Sequence, residues 1–256
     1  NIFNFNASNN PALTCIEVDD PILATQNLSN INPGTTFSNN CNYPVGCGDG
    51  NSGYYTLIPD QNFEQALKDD GYDTIIDGRV LTANISSITS LNVFDENIYD
   101  LTGIEDFTAL TNLLCVGNQL TSLDLSNNTD LVTLVCRNNH LTNLNLSNNT
   151  ALTGLYCEYN QLANLDVSNN TALTELDCDY NHLSSLDLSN NTALTLLNCS
   201  YNRLTCLNLK NGNSTNISLN AAPNNPNLTC IEVDDPIWAT ENWSTNNGQW
   251  TYSTSC

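Results

Sequence analysis

The feature that most constrains this chain is a 21-residue repeat marked by a recurring cysteine between residues 110 and 202. A fixed period of this length, with leucines at fixed offsets, is typical of a solenoid in which each repeat forms one coil. A coil of this kind buries its apolar side only by stacking on its neighbours. The recurring cysteines are Cys115, Cys136, Cys157, Cys178 and Cys199, and an asparagine follows each of them three positions later.

Each repeat is also similar to itself at half its length. Residues 131–139 read Leu-x-x-Leu-x-Cys-x-x-Asn, and residues 141–149 repeat this pattern with leucine in place of the cysteine. Both halves are expected to form a short strand that ends in a turn, where the asparagine side chain bonds to backbone groups. Stacked coils would then form two columns of parallel strands and two asparagine ladders, with little helix.

The flanks of the array are expected to be caps. Residues 13–22 recur unchanged at residues 228–237, so the start of the chain duplicates its end. An amphipathic helix over residues 59–70 is expected to cover the first coil, and three tryptophans near the C-terminus to cover the last. The predicted segments are a cap-like segment at residues 1–47, a linker and helical cap at 48–84, the repeat array at 85–215 and a C-terminal cap at 216–256.

The first cap-like segment has no coils of its own before it. Its inner face is therefore an unpaired edge, which is expected to dock on the same chain or on a second molecule. Docking on a second molecule would make the chain a structural or self-assembling surface protein that associates through residues 1–41. Two explanations of the duplicated cap remain open: the chain begins inside a longer tandem protein, or the cap has been reused at the front.

The eleven cysteines fall into two groups. The five in the repeats occupy a leucine position and are interpreted as small core residues, whereas the six in the flanks favour disulfides and an oxidising compartment. Cys15 and Cys41 have the same 26-residue spacing as Cys230 and Cys256, which favours the same bridge in each copy. The alternative in the second copy is Cys206 with Cys230, which occupy matching places in adjacent coils. The partner of Cys47 stays open.

The charge of the chain restricts its partners. With 27 acidic and 5 basic residues, it repels nucleic acid and anionic membranes, while a cationic ligand or a neutral glycan is compatible with it. The longest apolar runs are too short to insert into a membrane, and any export signal has been removed or lies outside this chain. No cofactor is expected. Calcium has weak support, since residues 49–60 only partly match a calcium loop and Val233–Pro236 is better explained as a turn.

Outward-facing residues of the first half-repeat are expected to form columns beside the buried leucine and cysteine. These columns are apolar in the early repeats and turn acidic and aromatic from Tyr156 onward. Variation on one face of a repetitive scaffold indicates recognition. The alternative is that the tyrosines only stack as strand neighbours and the acids form a solvated face. The candidate ligand-binding residues are Tyr156, Glu158, Tyr159, Glu175, Asp177, Asp179, Tyr180 and Tyr201.

Catalysis is not expected. Paired carboxylates are typical of glycosidases, but these acids are predicted to lie on an open face with no sign of burial. His140 and His182 share a repeat position two coils apart, which is too far for them to hold one metal together.

The consensus between Leu173 and Thr192 resembles the bacterial leucine-rich repeat class with nested 21-residue units, called IRREKO. Residues 58–67 and 101–104 are similar to the cap and first repeats of secreted internalin-like proteins. The resemblance covers residues 58–256. It implies a mainly β leucine-rich repeat solenoid with short parallel strands and one short N-terminal cap helix. The extra segment at the front and the lack of a recognisable surface-sorting tail depart from the family pattern.

The resemblance also implies an exported or surface-attached binding module. The expected function is recognition of a protein or polysaccharide through one strand face of the solenoid. A polysaccharide ligand would depend on the tyrosines with little sensitivity to salt. A basic protein partner would depend on the acidic residues and bind more weakly as salt increases.

Overall fold

A computed structural model describes residues 54–219, 224–243 and 249–256, together with two short strands nearer the start of the chain. The chain divides into two compact units, residues 1–54 and 55–256, which are treated separately. In the first unit, β1 (Cys15–Glu17) pairs in parallel with β2 (Thr36–Ser38). The predicted bridge between Cys15 and Cys41 and the docking face of this segment lie outside the described residues.

The second unit begins with a helical cap. Helix α1 (Gln61–Asp69) starts at Asp60, whose side chain accepts hydrogen bonds from the backbone N–H groups of Asn62 and Phe63. The other carboxylate oxygen of Asp60 accepts from the N–H groups of Tyr99 and Asp100, so one side chain ties the helix to the first coil. An antiparallel strand pair and a short helix complete the cap: β3 (Tyr55–Leu57), β4 (Arg79–Leu81) and α2 (Thr82–Ile85).

The first halves of the coils form one parallel sheet of seven short strands. Neighbouring strands pair in register, so the buried leucines form a column and the outward residues form further columns beside it. This confirms the predicted solenoid. The strands are β5 (Ser90–Asn92), β6 (Asn112–Leu114), β7 (Thr133–Val135), β8 (Gly154–Tyr156), β9 (Glu175–Asp177), β11 (Leu196–Asn198) and β13 (Ser218–Leu219).

The second halves form strands only near the C-terminus, so the prediction of a second full column of strands is wrong for the earlier coils. There the asparagine side chains join successive half-coils: Asn149 Nδ2 donates to the carbonyl oxygens of Leu125 and Asn128 at 3.0 and 2.9 Å. The strands that do form make a four-stranded parallel sheet of β10 (Ser185–Asp187), β12 (Cys206–Asn208), β14 (Cys230–Glu232) and β15 (Thr251–Ser253).

Two asparagine ladders run through the stack as predicted. In the first ladder, Asn160 Oδ1 accepts from the N–H of Leu141, while its Nδ2 donates to the carbonyl oxygens of Cys136 and Cys157. The repeat cysteines are buried beside the leucines and are not joined in disulfides. Burial raises the pKa of each of these thiols, to about 12 for Cys115, so they act as core side chains and not as nucleophiles.

The C-terminal cap contains a helix that the sequence pattern did not predict. Helix α3 (Pro236–Asn242) begins after Asp235, whose side chain accepts from the N–H groups of Ile237 and Trp238. Trp243 and Trp250 are buried in the core cluster, and Trp238 packs against it. A disulfide joins Cys230 to Cys256, which is the pairing that the duplicated spacing favours, and Cys206 is free and exposed.

Candidate functional site

The candidate site begins on the outward face of the seven-stranded sheet, at Tyr156. Its hydroxyl donates a hydrogen bond to Glu175 on the next strand, and this bond raises the pKa of Tyr156 to about 12. The ring lies close to Gly154, where an added Cβ would come within 3.2 Å of the tyrosine Cε2 atom. Gly154 therefore makes room for the ring, and Tyr156 is a fixed part of the face with its hydroxyl already engaged.

Tyr159, Tyr180 and Tyr201 lie at the edge of this face and form what we call the tyrosine ridge. Their rings stack with centroids 4.3 and 4.0 Å apart and interplanar angles of 10° and 11°. They are 48%, 37% and 43% exposed, respectively. Hydrogen bonding to the Tyr201 hydroxyl is the main cause that raises the pKa of Tyr180 to about 12. The three stacked rings together form one continuous exposed aromatic surface.

The tyrosine ridge occupies the turn after each strand and not the strand itself, which corrects the predicted position of this column. All three residues have a left-handed backbone, with φ of 56°, 45° and 49°. This conformation costs a non-glycine residue about 1–2 kcal/mol, and Gly and Asn are the residues that adopt it most readily. The equivalent residues of the two preceding coils are Gly117 and Asn138. The turn therefore does not require tyrosine. The three tyrosines keep an unfavourable backbone conformation at a position where their rings are exposed, which is typical of a functional site.

Beside the ridge lies an acidic zone of four carboxylates, one of which is buried. Glu158 is only 6% exposed, so the prediction that all the acids lie on an open face is wrong. Its position turns inward as the chain enters the left-handed turn, and Val116 and Ser200 are buried at the same position of other coils. The zone consists of Glu158, Glu175, Asp177 and Asp179.

Burial raises the pKa values of two carboxylates in the acidic zone. Glu158 Oε1 accepts a hydrogen bond from Arg137 at 3.3 Å, whereas Glu158 Oε2 and Asp179 Oδ1 are buried without a hydrogen-bond partner. Burial is the largest cause that raises the pKa of Glu158, and the same holds for Asp179, where the nearby Asp177 raises it further. Carboxylates held in this way bind a positive charge favourably, because the cation offsets both the burial and the mutual repulsion.

A column of side chains that the sequence pattern did not predict as part of a site lies on the other side of the ridge. It comprises the residues that follow each ladder asparagine, and it ends with His182 and Arg203, both exposed. A shallow, open pocket of about 390 Å³ lies between this column and the ridge. Its lining includes Tyr180, Tyr201, His182, Arg203 and Asn224. The fixed offset of four residues from the repeat cysteine was the available signal. The full column is Gln119, His140, Gln161, His182 and Arg203.

Within the described residues, no three His, Cys, Asp or Glu side chains are arranged to hold a metal ion. No helix among those described is long and apolar enough to span a membrane.

Comparison with known proteins places the chain beside the internalins. No family model matches it. Internalin J of Listeria monocytogenes is 34% identical over 124 residues, which is 47% of this chain and 13% of that protein. The solved functional domain of internalin J, described as including a cysteine ladder, is 35% identical with a TM-score of 0.54 and matches 71% of this chain and 38% of that structure.

A second solved structure agrees with the first. Internalin F of Listeria monocytogenes is 26% identical with a TM-score of 0.55, matching 70% of this chain and 52% of that structure. The chain thus spans less than two thirds of each of these relatives. Over the region they share, it is a homologue of internalin J and of another Listeria internalin, with a leucine-rich repeat solenoid as its fold.

Proposed function

We propose that this chain is a recognition module that binds a protein partner through the outward face of its seven-stranded sheet and the adjoining tyrosine ridge. The observation that carries the proposal is the ridge itself. Three exposed tyrosines stack at a left-handed position where a glycine or an asparagine serves the same turn in other coils. Rigid aromatic side chains of this kind are typical anchors of protein interfaces.

The geometry of the ridge favours a protein over a polysaccharide. A sugar ring that binds an aromatic residue packs flat on the ring face, but here the faces between Tyr159 and Tyr180, and between Tyr180 and Tyr201, are covered by each other. The ridge therefore offers ring edges and hydroxyls along its length. The hydroxyl of Tyr156, the other candidate for sugar stacking, already donates a hydrogen bond to Glu175 and is not free to bond to a sugar.

The acidic zone suggests the charge of the partner. Glu175, Asp177 and Asp179 are half-buried beside the ridge, and the chain as a whole has a formal net charge of −22. Charged groups at the rim of an interface mainly set association rate and specificity, and salt screens them. A partner segment that carries lysine or arginine is therefore expected, with binding that weakens as salt increases.

We also propose that the chain works outside the cytoplasm, on a cell surface or secreted. The supporting feature is the Cys230–Cys256 disulfide, because such bonds form and persist in oxidising compartments. The chain's role is recognition and not catalysis, and no cofactor is part of the proposal.

The proposal can be tested by selecting a displayed random peptide library against the full chain. Selection should enrich sequences that contain basic residues, and these should bind at least tenfold more weakly to the variant Tyr159→Asn/Tyr180→Asn/Tyr201→Asn. Asparagine occupies the same turn at Asn138, so the variant is expected to keep the fold. Asp130→Asn, which changes an exposed acid in another turn, is the matched control and should bind like the wild type.

A glycan array probed with the same proteins separates the two ligand classes. A library that yields no ridge-dependent peptide would overturn the proposal, and ridge-dependent binding to a glycan would then favour polysaccharide recognition.

A further inference from the structure

The tyrosine ridge separates two zones of opposite character. On the sheet side lies the acidic zone, in which Glu158 and Asp179 have buried carboxylate oxygens without hydrogen-bond partners. On the other side, His182 and Arg203 line the pocket together with the edges of Tyr180 and Tyr201. A segment that crosses the ridge therefore meets negative charge on one side and hydrogen-bond donors with positive charge on the other.

Arg203 is an unusual residue for this position in so acidic a chain. The protein has only five lysines and arginines, and two of the equivalent positions in other coils are Gln119 and Gln161. Arg137 is paired with Glu158 and Arg79 with Asp77, whereas no ion pair to Arg203 is formed within the described residues. Arg203 lines the pocket beside the ridge, together with Asn224. A guanidinium with fixed donors suits a carboxylate, which it binds through two parallel hydrogen bonds.

We propose that the pocket beside the ridge receives a carboxylate side chain of the protein partner, while basic residues of the same segment lie over the acidic zone. This inference rests on the proposed function and adds the partner's charge pattern and orientation. Arg203 binds the carboxylate, His182 supplies a second donor, and the ridge packs against the chain between the two charges. Reversing the segment would bring like charges together on both sides of the ridge, so the arrangement permits one orientation.

The turn geometry limits how far apart the partner's charges can be. Only Tyr180 and the ladder residue Asn181 separate Asp179 from His182 along the chain. Three steps of fully extended chain span at most about 11 Å, at 3.3–3.6 Å for each residue. Arg203 lies one coil beyond His182, about 5 Å along the stack, which lengthens this backbone distance only slightly. An extended partner segment covers it in about three residues, so its acidic and basic residues should stand within about three positions of each other.

The test uses the displayed peptide library with three forms of the full chain: wild type, Arg203→Gln and Arg203→Glu. The wild type should select peptides with an acidic residue within about three positions of a basic residue. Arg203→Gln should bind those peptides about two- to fivefold more weakly, as expected for an exposed ion pair. Arg203→Glu should select peptides in which a basic residue replaces the acidic one. Glutamine occupies the same position at Gln119 and Gln161, so Arg203→Gln is expected to keep the fold.

The control is Arg137→Gln, which removes an equal charge from the opposite side of the ridge and should leave the preference for an acidic residue intact. Enrichment of basic peptides with no acidic preference, or a preference that survives Arg203→Glu, would overturn this inference and leave the proposed function standing. A library that yields no ridge-dependent peptide would overturn the proposed function as well.

Discussion

At the scale of single residues, the buried carboxylate of Glu158 makes a prediction about pH. Burial raises its pKa in the folded protein above the ordinary value of 4.5. The charged form therefore costs stability at neutral pH, and this cost disappears as the pH falls through the folded-state pKa toward 4.5. Glu158→Gln removes the cost at neutral pH. The variant's free energy of unfolding, minus that of the wild type, should accordingly be larger at pH 7.5 than at pH 4.5.

Urea unfolding of both proteins across this pH range measures that difference. Asp124 and Asp166 have lowered pKa values because they accept hydrogen bonds from Ser126 and Ser168. The stability that they contribute to the folded protein is therefore lost as the pH falls. Both proteins contain these groups, and their effect cancels in the difference. A flat difference for Glu158→Gln would show that its carboxylate is solvated in solution.

The left-handed backbone of Tyr159 supports a second prediction at this scale. Replacement by asparagine removes one ring stacking contact but relieves the backbone cost, whereas replacement by alanine removes the contact and keeps most of the cost. Tyr159→Asn is therefore expected to be about 1 kcal/mol more stable than Tyr159→Ala. Thermal and urea unfolding compare the two variants directly. Equal stability, or a more stable alanine variant, would mean that the turn does not stay left-handed in the variants.

At the scale of elements, the two asparagine ladders contribute unequally to the stability of the solenoid. Asn160 uses both ends of its amide, accepting from the N–H of Leu141 and donating to backbone carbonyls. Asn149 only donates, and its Oδ1 is buried without a partner. Asn160→Ala leaves one N–H group and backbone carbonyls without hydrogen bonds, whereas Asn149→Ala leaves only carbonyls without them. Each buried group left in this way lowers the free energy of unfolding by about 1–3 kcal/mol. Asn160→Ala should be the more destabilising in urea unfolding, and the reverse order would contradict this account.

The elements also show how far the sequence was informative. The period and the in-register leucines predicted the parallel sheet and both ladders, because a fixed repeat places equivalent residues at equivalent positions. The period could not predict which half-coils meet the geometry of a strand, since the same pattern forms β10 at 185–187 and no strand at the equivalent residues 164–166. Helix α3 was missed for a related reason: its seven residues are too few to show a helical period.

The candidate site was less predictable than the fold. Alternation along a strand places side chains on one face or the other, and it stops applying where the backbone turns left-handed. Tyr180 was therefore assigned to the strand face although it lies in the turn, and Glu158 was assigned to solvent although it turns inward. The fixed offset from the repeat cysteine marks the column that contains Arg203, but the pocket that Arg203 shares with Tyr201 is visible only in the folded chain.

At the scale of the whole molecule, each coil of the solenoid contacts only its neighbours, so its ends determine where unfolding begins. The C-terminal end is closed by the cap that carries all three tryptophans, and the Cys230–Cys256 disulfide holds strand β14 to the end of the chain. Tryptophan fluorescence therefore reports this cap alone, while far-ultraviolet circular dichroism reports the whole array.

This separation allows the last prediction. Cys230→Ser/Cys256→Ser should lower the stability of the cap by about 3–4 kcal/mol, because the unfolded cap regains the freedom of the loop that the bridge closed. The fluorescence transition in urea should then precede the dichroism transition, whereas the two should lie closer together in the bridged protein. Both proteins should carry Cys206→Ser, so that this exposed thiol can neither exchange with the bridge nor link two chains. Coincident transitions in the unbridged protein would mean that the cap and the coils unfold as one cooperative unit.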